Sequence, residues 1–266
     1  MGNRNINIKD AEKLLSILEN GEYQINGNTI QIPEYTDAKY YTHKNINELS
    51  TFVPKQNTSL DIELYSGSTV DSVIKEYKEL KTRKLSGKLG VLNFASAKHP
   101  GGGFMTGAMA QEEALCHAST LYRQLEHSEM YVDNAINLGE LYNDAMNVSE
   151  TYFIRDGNGN MVKPIPAIVV TSAAVNVNRV RQSSVLDIRA AMKHRMEYIL
   201  QMFIGYDCDT IILGAFGCGV FGNDPKFVAE TWRELLDKYG GYFDKVVFAI
   251  LDRNGKNMRT FKEIFK

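Results

Sequence analysis

In the stretch "HPGGGFMTGAMAQEEALCHAS", residues 99–119, the run Pro100, Gly101, Gly102, Gly103 is followed after seven residues by Gln111 and two adjacent glutamates, Glu112 and Glu113. Adjacent carboxyls are candidate groups for acid–base chemistry on a ligand. Three consecutive glycines contribute nothing to a core and raise the entropy of the unfolded chain. A folded protein keeps such a run where another group must come close to the main chain. The combination points to a ligand held against bare backbone with acid chemistry beside it. The bland alternative is a solvated first helical turn whose acids complement the helix dipole.

A second stretch, "GAFGCGVFGNDP", places Gly214, Gly217, Gly219 and Gly222 within nine residues and runs into a helix start at Asp224 and Pro225. Exposed backbone N–H groups and the helix dipole bind phosphate in such a setting. Two glycine-rich loops at one sheet edge would suit a diphosphate. Neither stretch contains G-x-x-x-x-G-K-[ST], and no G-x-G-x-x-G follows the first strand with an acid about 20 residues on, so ATPase and dehydrogenase classes lose their support. His99 and His117 have no partner at ligand spacing and read as structural or solvent-facing. Cys218 is paired with no histidine and reads as a small apolar residue supporting its loop. Trp232, in a helical pattern with Phe227, Leu235 and Leu236, reads as core.

These loops need a scaffold. From about residue 60, "LDIELYS", "GVLNFAS", "AIVVTSAAV", "DTIILGAFG" and "DKVVFAIL" are short, nearly continuous apolar runs, the pattern of strands buried on both faces. Helical patterns fill the gaps: "STVDSVIKEYKELKTRK", "AQEEALCHASTLYRQL", roughly residues 184–204, and "DPKFVAETWRELLDKYG". The alternation predicts an α/β fold with a mostly parallel or mixed sheet, and ligands bind beyond the carboxyl ends of such strands. Before it, Leu14, Leu15, Ile17 and Leu18 mark one face of a helix stopping near Gly21. A hairpin turning at Asn26 and Gly27 follows. The cluster "IRDGNGNMVKP", 154–164, predicts a surface hairpin rather than a domain boundary.

At 266 residues, 44% hydrophobic and 23% charged, the chain has ordinary globular composition and one domain is expected. Thirty basic against 32 acidic side chains, with no long run of either sign, favour no direct nucleic-acid partner. Cys116, Cys208 and Cys218 are odd in number and form no C-x-x-C pair, which argues against a disulfide framework and a tetrahedral zinc site and suits a reducing cytoplasm. The start lacks the apolar core of a signal peptide and Ile6 replaces the Ser or Thr of a myristoylation signal, so no membrane association is expected.

The stretch "LNFASAKHPGGGFMTGAMAQEEALCHASTLY", 92–122, resembles the signature of the microbial-type poly(ADP-ribose) glycohydrolases, which are macrodomain-fold enzymes. Their pattern N-F-A-[NS]-A-x-x-P-G-G-G-F-x-x-G-A-x-A-Q-E-E is met at every fixed position. The later "VVTSAAVN" and "LGAFGCGVFGNDP" resemble the family's second and third loops, so the similarity covers roughly residues 60–255. The resemblance implies a three-layer α/β/α macrodomain-like fold with a mixed central sheet. An N-terminal accessory segment, 1–58, would pack on a catalytic core, 59–266, as a single structural unit. It also implies that the enzyme cleaves the ribose–ribose bond of poly(ADP-ribose) from chain ends, with no metal or other cofactor, as a monomer.

By position, Glu113 would be the acid and base, Glu112 would hold the distal ribose hydroxyls, and Gln111 would help place the loop. Gly101, Gly102 and Gly103 would let the backbone pass close to the distal ribose and diphosphate, which the loop Gly217, Cys218, Gly219, Val220 and Phe221 would clasp from the other side. Phe221 would pack beside the distal ribose, and Asn93 and Asn176 would supply hydrogen bonds to ribose or loop. His117 stands where similar sequences commonly carry Arg. Two other functions share the pocket: a module that only binds ADP-ribose, and a hydrolase of mono-ADP-ribosyl conjugates, including protein-attached ones.

Overall fold

The computed structural model describes residues 3–42, 45, 60–83, 87–136, 139–252 and 254–266. The chain opens with helix α1 (Asn3–Asn20) and a hairpin of β1 (Glu22–Ile25) and β2 (Asn28–Gln31) turning at Asn26 and Gly27, both with positive φ. The edge strand β3 (Lys39–Tyr41), β4 (Asp61–Tyr65), α2 (Thr69–Thr82) and β5 (Lys88–Phe94) follow. Next come three short helices, α3 (Gln111–Ala118), α4 (Leu121–Leu125) and α5 (Glu129–Ile136), and the long antiparallel pair β6 (Met146–Arg155) and β7 (Met161–Ser172). The chain closes with α6 (Val185–Gly205), β8 (Cys208–Leu213), α7 (Pro225–Tyr239), β9 (Lys245–Ala249) and α8 (Lys256–Ile264).

Seven strands form one mixed sheet in the order β3-β6-β7-β5-β8-β9-β4. The two pairings at the β3 end are antiparallel and the four from β7 to β4 are parallel. Successive residues of the parallel strands enter opposite layers, as a period of two requires. Leu92, Val170, Ile211 and Phe248 pack under α6, α7 and α8, while Val91, Val169, Ile212 and Val247 pack with α1 to α5. This is the expected three-layer α/β/α architecture.

The N-terminal hairpin, the 154–164 hairpin and the five apolar strand runs lie where the sequence places them. The single helix expected over 110–125 is two helices, because Ser119 adopts an extended backbone and bridges Phe153 of β6. The Ser119 hydroxyl donates to the Leu115 carbonyl at 2.7 Å and accepts from Leu121 N–H, and Thr120 N–H donates to the Tyr152 carbonyl. Such side-chain competition with the helix ladder favours a break. The boundary expected at 58/59 lies outside the described residues, and β3 from the N-terminal segment is hydrogen-bonded into the main sheet. No described helix is long and apolar enough to cross a membrane.

Candidate active site

The carboxyl ends of the parallel strands open on a pocket of about 510 Å³, within the range of small-molecule sites. Its wall is contributed strand by strand: Gly67–Thr69 after β4, Ala95 and Ser96 after β5, Ala174 after β7, Ala215–Gly217 and Gly219–Phe221 after β8, and Ile250 and Leu251 after β9. The first turn of α3, with Gln111, Glu112 and Glu113, forms part of the lining.

The placement of α3 starts from a mismatch in strand length. The ladder between β5 and β8 ends at Val91 and Ile212, while β5 continues to Phe94. The Gln111 amide satisfies the backbone beyond that end, donating to the Leu92 carbonyl at 2.8 Å and accepting from Phe94 N–H at 2.8 Å. It donates also to Thr69 Oγ1 at 3.2 Å, which links α3 to the start of α2. Gln111 therefore extends the sheet by one side chain and fixes where the two glutamates begin.

Glu112 is 3% exposed and points back toward β5. Ser96 N–H donates to its Oε2 at 2.7 Å and Asn93 Nδ2 to its Oε1 at 3.3 Å. Burial pushes its pKa up to about 8. The Ser96 bond opposes that rise, the charge of Glu113 adds to it, and the Asn93 bond opposes it less strongly. Asn93 is fully buried, donates also to Thr171 Oγ1 at 3.2 Å, and leaves its Oδ1 without a partner.

Glu113 is 7% exposed and is gripped from both ends of the loop that precedes it. Gly103 N–H donates to Oε1 and Ala110 N–H to Oε2, each at 2.8 Å. Gly102 lies between the carboxyls and could bear no side chain: its φ is +61°, and a Cβ would stand 2.5 Å from Glu113 Oε1 and 2.9 Å from Glu112 Oε2. A Cβ on Gly101 would meet the Tyr122 ring at 2.7 Å and one on Gly103 would meet Ala108 at 2.6 Å. The close approach these glycines permit is thus, first, to the protein's own groups.

The second and third loops are tied into one wall. Val177 N–H donates to the Phe221 carbonyl and Asn178 Nδ2 to the Val220 carbonyl, each at 2.8 Å. Buried Asn223 donates to the carbonyls of Val175 and Gly217, and Trp232 Nε1 donates to the Gly214 carbonyl at 3.2 Å. Cys218 faces inward, its thiol pushed up to about 12 by burial, which fits a supporting apolar residue rather than a nucleophile. The helix start offered for phosphate is not available, because Asp224 caps α7 with its own carboxylate by accepting from Lys226 N–H at 3.1 Å. Neither Asp224 nor Pro225 lines the pocket, and no described lining residue is cationic. An anion there would be met by loop N–H groups.

Of the residues singled out in the sequence, Gly102, Gln111, Glu112, Glu113, Gly217, Gly219, Val220 and Phe221 line the pocket. Asn93, Gly101, Gly103, Asn176 and Cys218 are not among its lining residues, and the Oδ1 of Asn176 is buried without a partner. His99 is exposed. His117 is buried, with Nδ1 2.9 Å from Asp10 and its ring edge-on to Phe104, so both histidines are structural or solvent-facing.

Sequence reasoning missed the loops after β4 and β9, which carry few glycines; the carboxyl-end rule applied to every strand would have found them. It also missed Arg195, whose guanidinium, 1% exposed, donates to the carbonyls of Ala173 and Leu141 at 2.8 and 2.9 Å and so fixes the exit of β7. Within the run Lys193, His194, Arg195 nothing in the sequence separates the buried Arg195 from its polar neighbours.

The family model for the microbial-type PARG catalytic domain matches residues 11–154. Poly(ADP-ribose) glycohydrolase from Thermomonospora curvata superposes with a TM-score of 0.89 at 30% identity, over 98% of this chain and 100% of that one. The same enzyme bound to the inhibitor ADP-HPD gives a TM-score of 0.85 at 30% identity, over 98% and 99%. Poly(ADP-ribose) glycohydrolase from Deinococcus radiodurans in complex with ADP-ribose gives a TM-score of 0.76 at 32% identity, over 86% and 94%. A search of curated proteins found no match.

Proposed function

The chain belongs to the microbial-type poly(ADP-ribose) glycohydrolase family, and we propose that it hydrolyses the ribose–ribose O-glycosidic bond of poly(ADP-ribose) from chain ends, with Glu113 as acid and base. One observation supports this reading above the others: both carboxyls of the Q-E-E turn are buried at the lining of a pocket whose opposite wall is the glycine loop 217–221. The distal ADP-ribose lies across that pocket, its diphosphate against the N–H groups of the loop, its ribose beside Phe221 and its hydroxyls on Glu112. Asn93 and Asn176 steady the ribose and the loops.

Glu113 gives its proton to the departing ribose oxygen as the C1″–O bond breaks, and its carboxylate then faces an oxocarbenium-like C1″. Water adds to C1″ and returns a proton to Glu113, so one carboxyl serves both steps. The helix dipole at the start of α3 favours the charged form of an acid there. Beside it, burial raises Glu112 to about 8, which keeps that neighbouring carboxyl protonated at neutral pH.

Residues 1–58 serve as a segment built onto the catalytic core, and the chain works as a cytoplasmic monomer. Buried Cys116, with no disulfide, suits a reducing compartment.

Measuring ADP-ribose release and ADP-ribose affinity for the parent and Glu113→Gln tests the assignment. Release from the polymer should fall by about 10²- to 10⁴-fold with binding little changed. The Ala110 N–H bond to Glu113 is the bond of a helix-capping acid, so an equally active Glu113→Gln would make Glu113 a structural cap. A parent that binds ADP-ribose and releases none from any conjugate would be a binding module.

A further inference from the structure

Helix α1 lies outside the pocket against the loop that precedes Glu113 and against α3, and meets them at one place each. Asn7 Nδ2 donates to the Gly107 carbonyl at 3.0 Å, and a Cβ on Gly107 would stand 2.4 Å from the backbone oxygen of Arg4. Gly107, with φ +77°, is thus pressed directly onto the first turn of α1. One turn further along, Asp10 Oδ2 accepts from Arg155 Nη1 at 3.0 Å and lies 2.9 Å from His117 Nδ1 in the last turn of α3. Arg155, 3% exposed, also donates to the His117 carbonyl, and the His117 ring packs edge-on against buried Phe104, which follows the three glycines.

Arg4, Asn7 and Asp10 recur at helical spacing, on the stripe that continues into buried Ala11, Leu14 and Leu18. The pocket lining includes none of the three. The first contact falls in the middle of the 103–110 segment, whose ends hold the two carboxylate oxygens of Glu113 through Gly103 N–H and Ala110 N–H.

From this arrangement we infer that Asn7 of the N-terminal helix is a positioning residue for the reaction: it fixes the middle of the 103–110 loop so that the loop's two ends hold the Glu113 carboxylate toward C1″. The inference rests on Glu113 being the acid and base. Asn7 makes no contact with the pocket. Removing it should therefore misplace the carboxylate while leaving the glycine wall that holds the diphosphate intact, and small misplacements of a reacting group are costly in rate.

The test compares the full chain with Asn7→Ala, Asn7→Asp and, as a control on the outer face of the same helix, Ile6→Ala, which is 56% exposed in the parent. Readouts are kcat and KM for release of ADP-ribose from the polymer, affinity for free ADP-ribose, and the melting curve. Asn7→Ala should lower kcat about tenfold with KM and ADP-ribose affinity within about twofold. Asn7→Asp should be worse, since its carboxylate would face the Gly107 carbonyl with no donor, and Ile6→Ala should match the parent. An active parent with an equally active Asn7→Ala overturns the inference. So does a loss of rate, affinity and folding together, which would make α1 merely part of the fold. A parent inactive on the polymer overturns the catalytic reading itself, and that outcome is separate from the other two.

Discussion

Glu112 and Glu113 share a peptide bond and differ in what holds them. Glu112 is fixed by the strand end through Ser96 and Asn93, and Glu113 is fixed by the loop through Gly103 and Ala110. One carboxyl can then be poised by burial while its neighbour moves protons, and Glu112 makes a pH prediction possible. Its folded pKa of about 8 lies above the ordinary value of 4.5. A raised acid contributes stability that is fully present below the unfolded pKa and is lost as pH rises through the folded one. The ligand-free protein should therefore melt at progressively lower temperature between about pH 5 and pH 8. Glu112→Gln should flatten that slope while lowering stability at pH 5, because its NH₂ accepts no hydrogen bond and would face the Ser96 N–H or the Asn93 amide donor to donor. Its ADP-ribose affinity and turnover should both fall, whereas Glu113→Gln loses turnover alone. Calorimetric melts across the pH range decide it: a slope unchanged in Glu112→Gln removes the buried acid as its source.

At the scale of elements, the glycine loop and α3 act as one unit, since Gly102 is the floor on which both carboxyls rest. Gly102→Val would place a β-branched side chain at φ +61° and drive its Cβ into Glu113 Oε1. The backbone strain costs about 1–3 kcal/mol. The displaced carboxyls should lower kcat by about 10²-fold or more, well beyond the loss of ADP-ribose affinity. A Gly102→Val protein with the parent's turnover would show that the carboxyls do not depend on this contact.

The parallel strands and the two glycine-rich loops were legible in the sequence because burial on both faces leaves continuous apolar runs and tight turns leave glycines. Strand β6 was not, because its buried residues include Asn147, Ser149 and Thr151. Asn147 and Thr151 bond to Ser128 and Gln124 of the neighbouring helical region, so the run does not read as apolar. Gln111 was legible as part of a motif, but its role as a stand-in for a strand neighbour depends on where β8 ends, a long-range fact no local pattern carries.

For the whole molecule, charge is the informative property. Thirty basic and 32 acidic side chains give a net charge of −2, and the described residues lining the pocket include two carboxylates and no cation. A protein that captures a polyanion through lysine and arginine releases about 0.9 counterions per phosphate it neutralises on a duplex, less on a flexible strand, and its affinity falls steeply with salt. Loop N–H groups neutralise no charge and release almost no counterions, so the diphosphate here should be bound by hydrogen bonds whose strength depends on the exclusion of water. Affinity for ADP-ribose should accordingly change by less than about threefold between roughly 50 and 500 mM salt, and log KM for the polymer should rise with log salt at a slope below about one. A shallow slope would also account for action at chain ends, because the polymer would be recognised through its last unit in the pocket and hardly at all along its length. Titration at several salt concentrations measures this directly. A slope of several units for the polymer, with a flat one for free ADP-ribose, would overturn the picture by placing a cationic track for the rest of the chain outside the pocket.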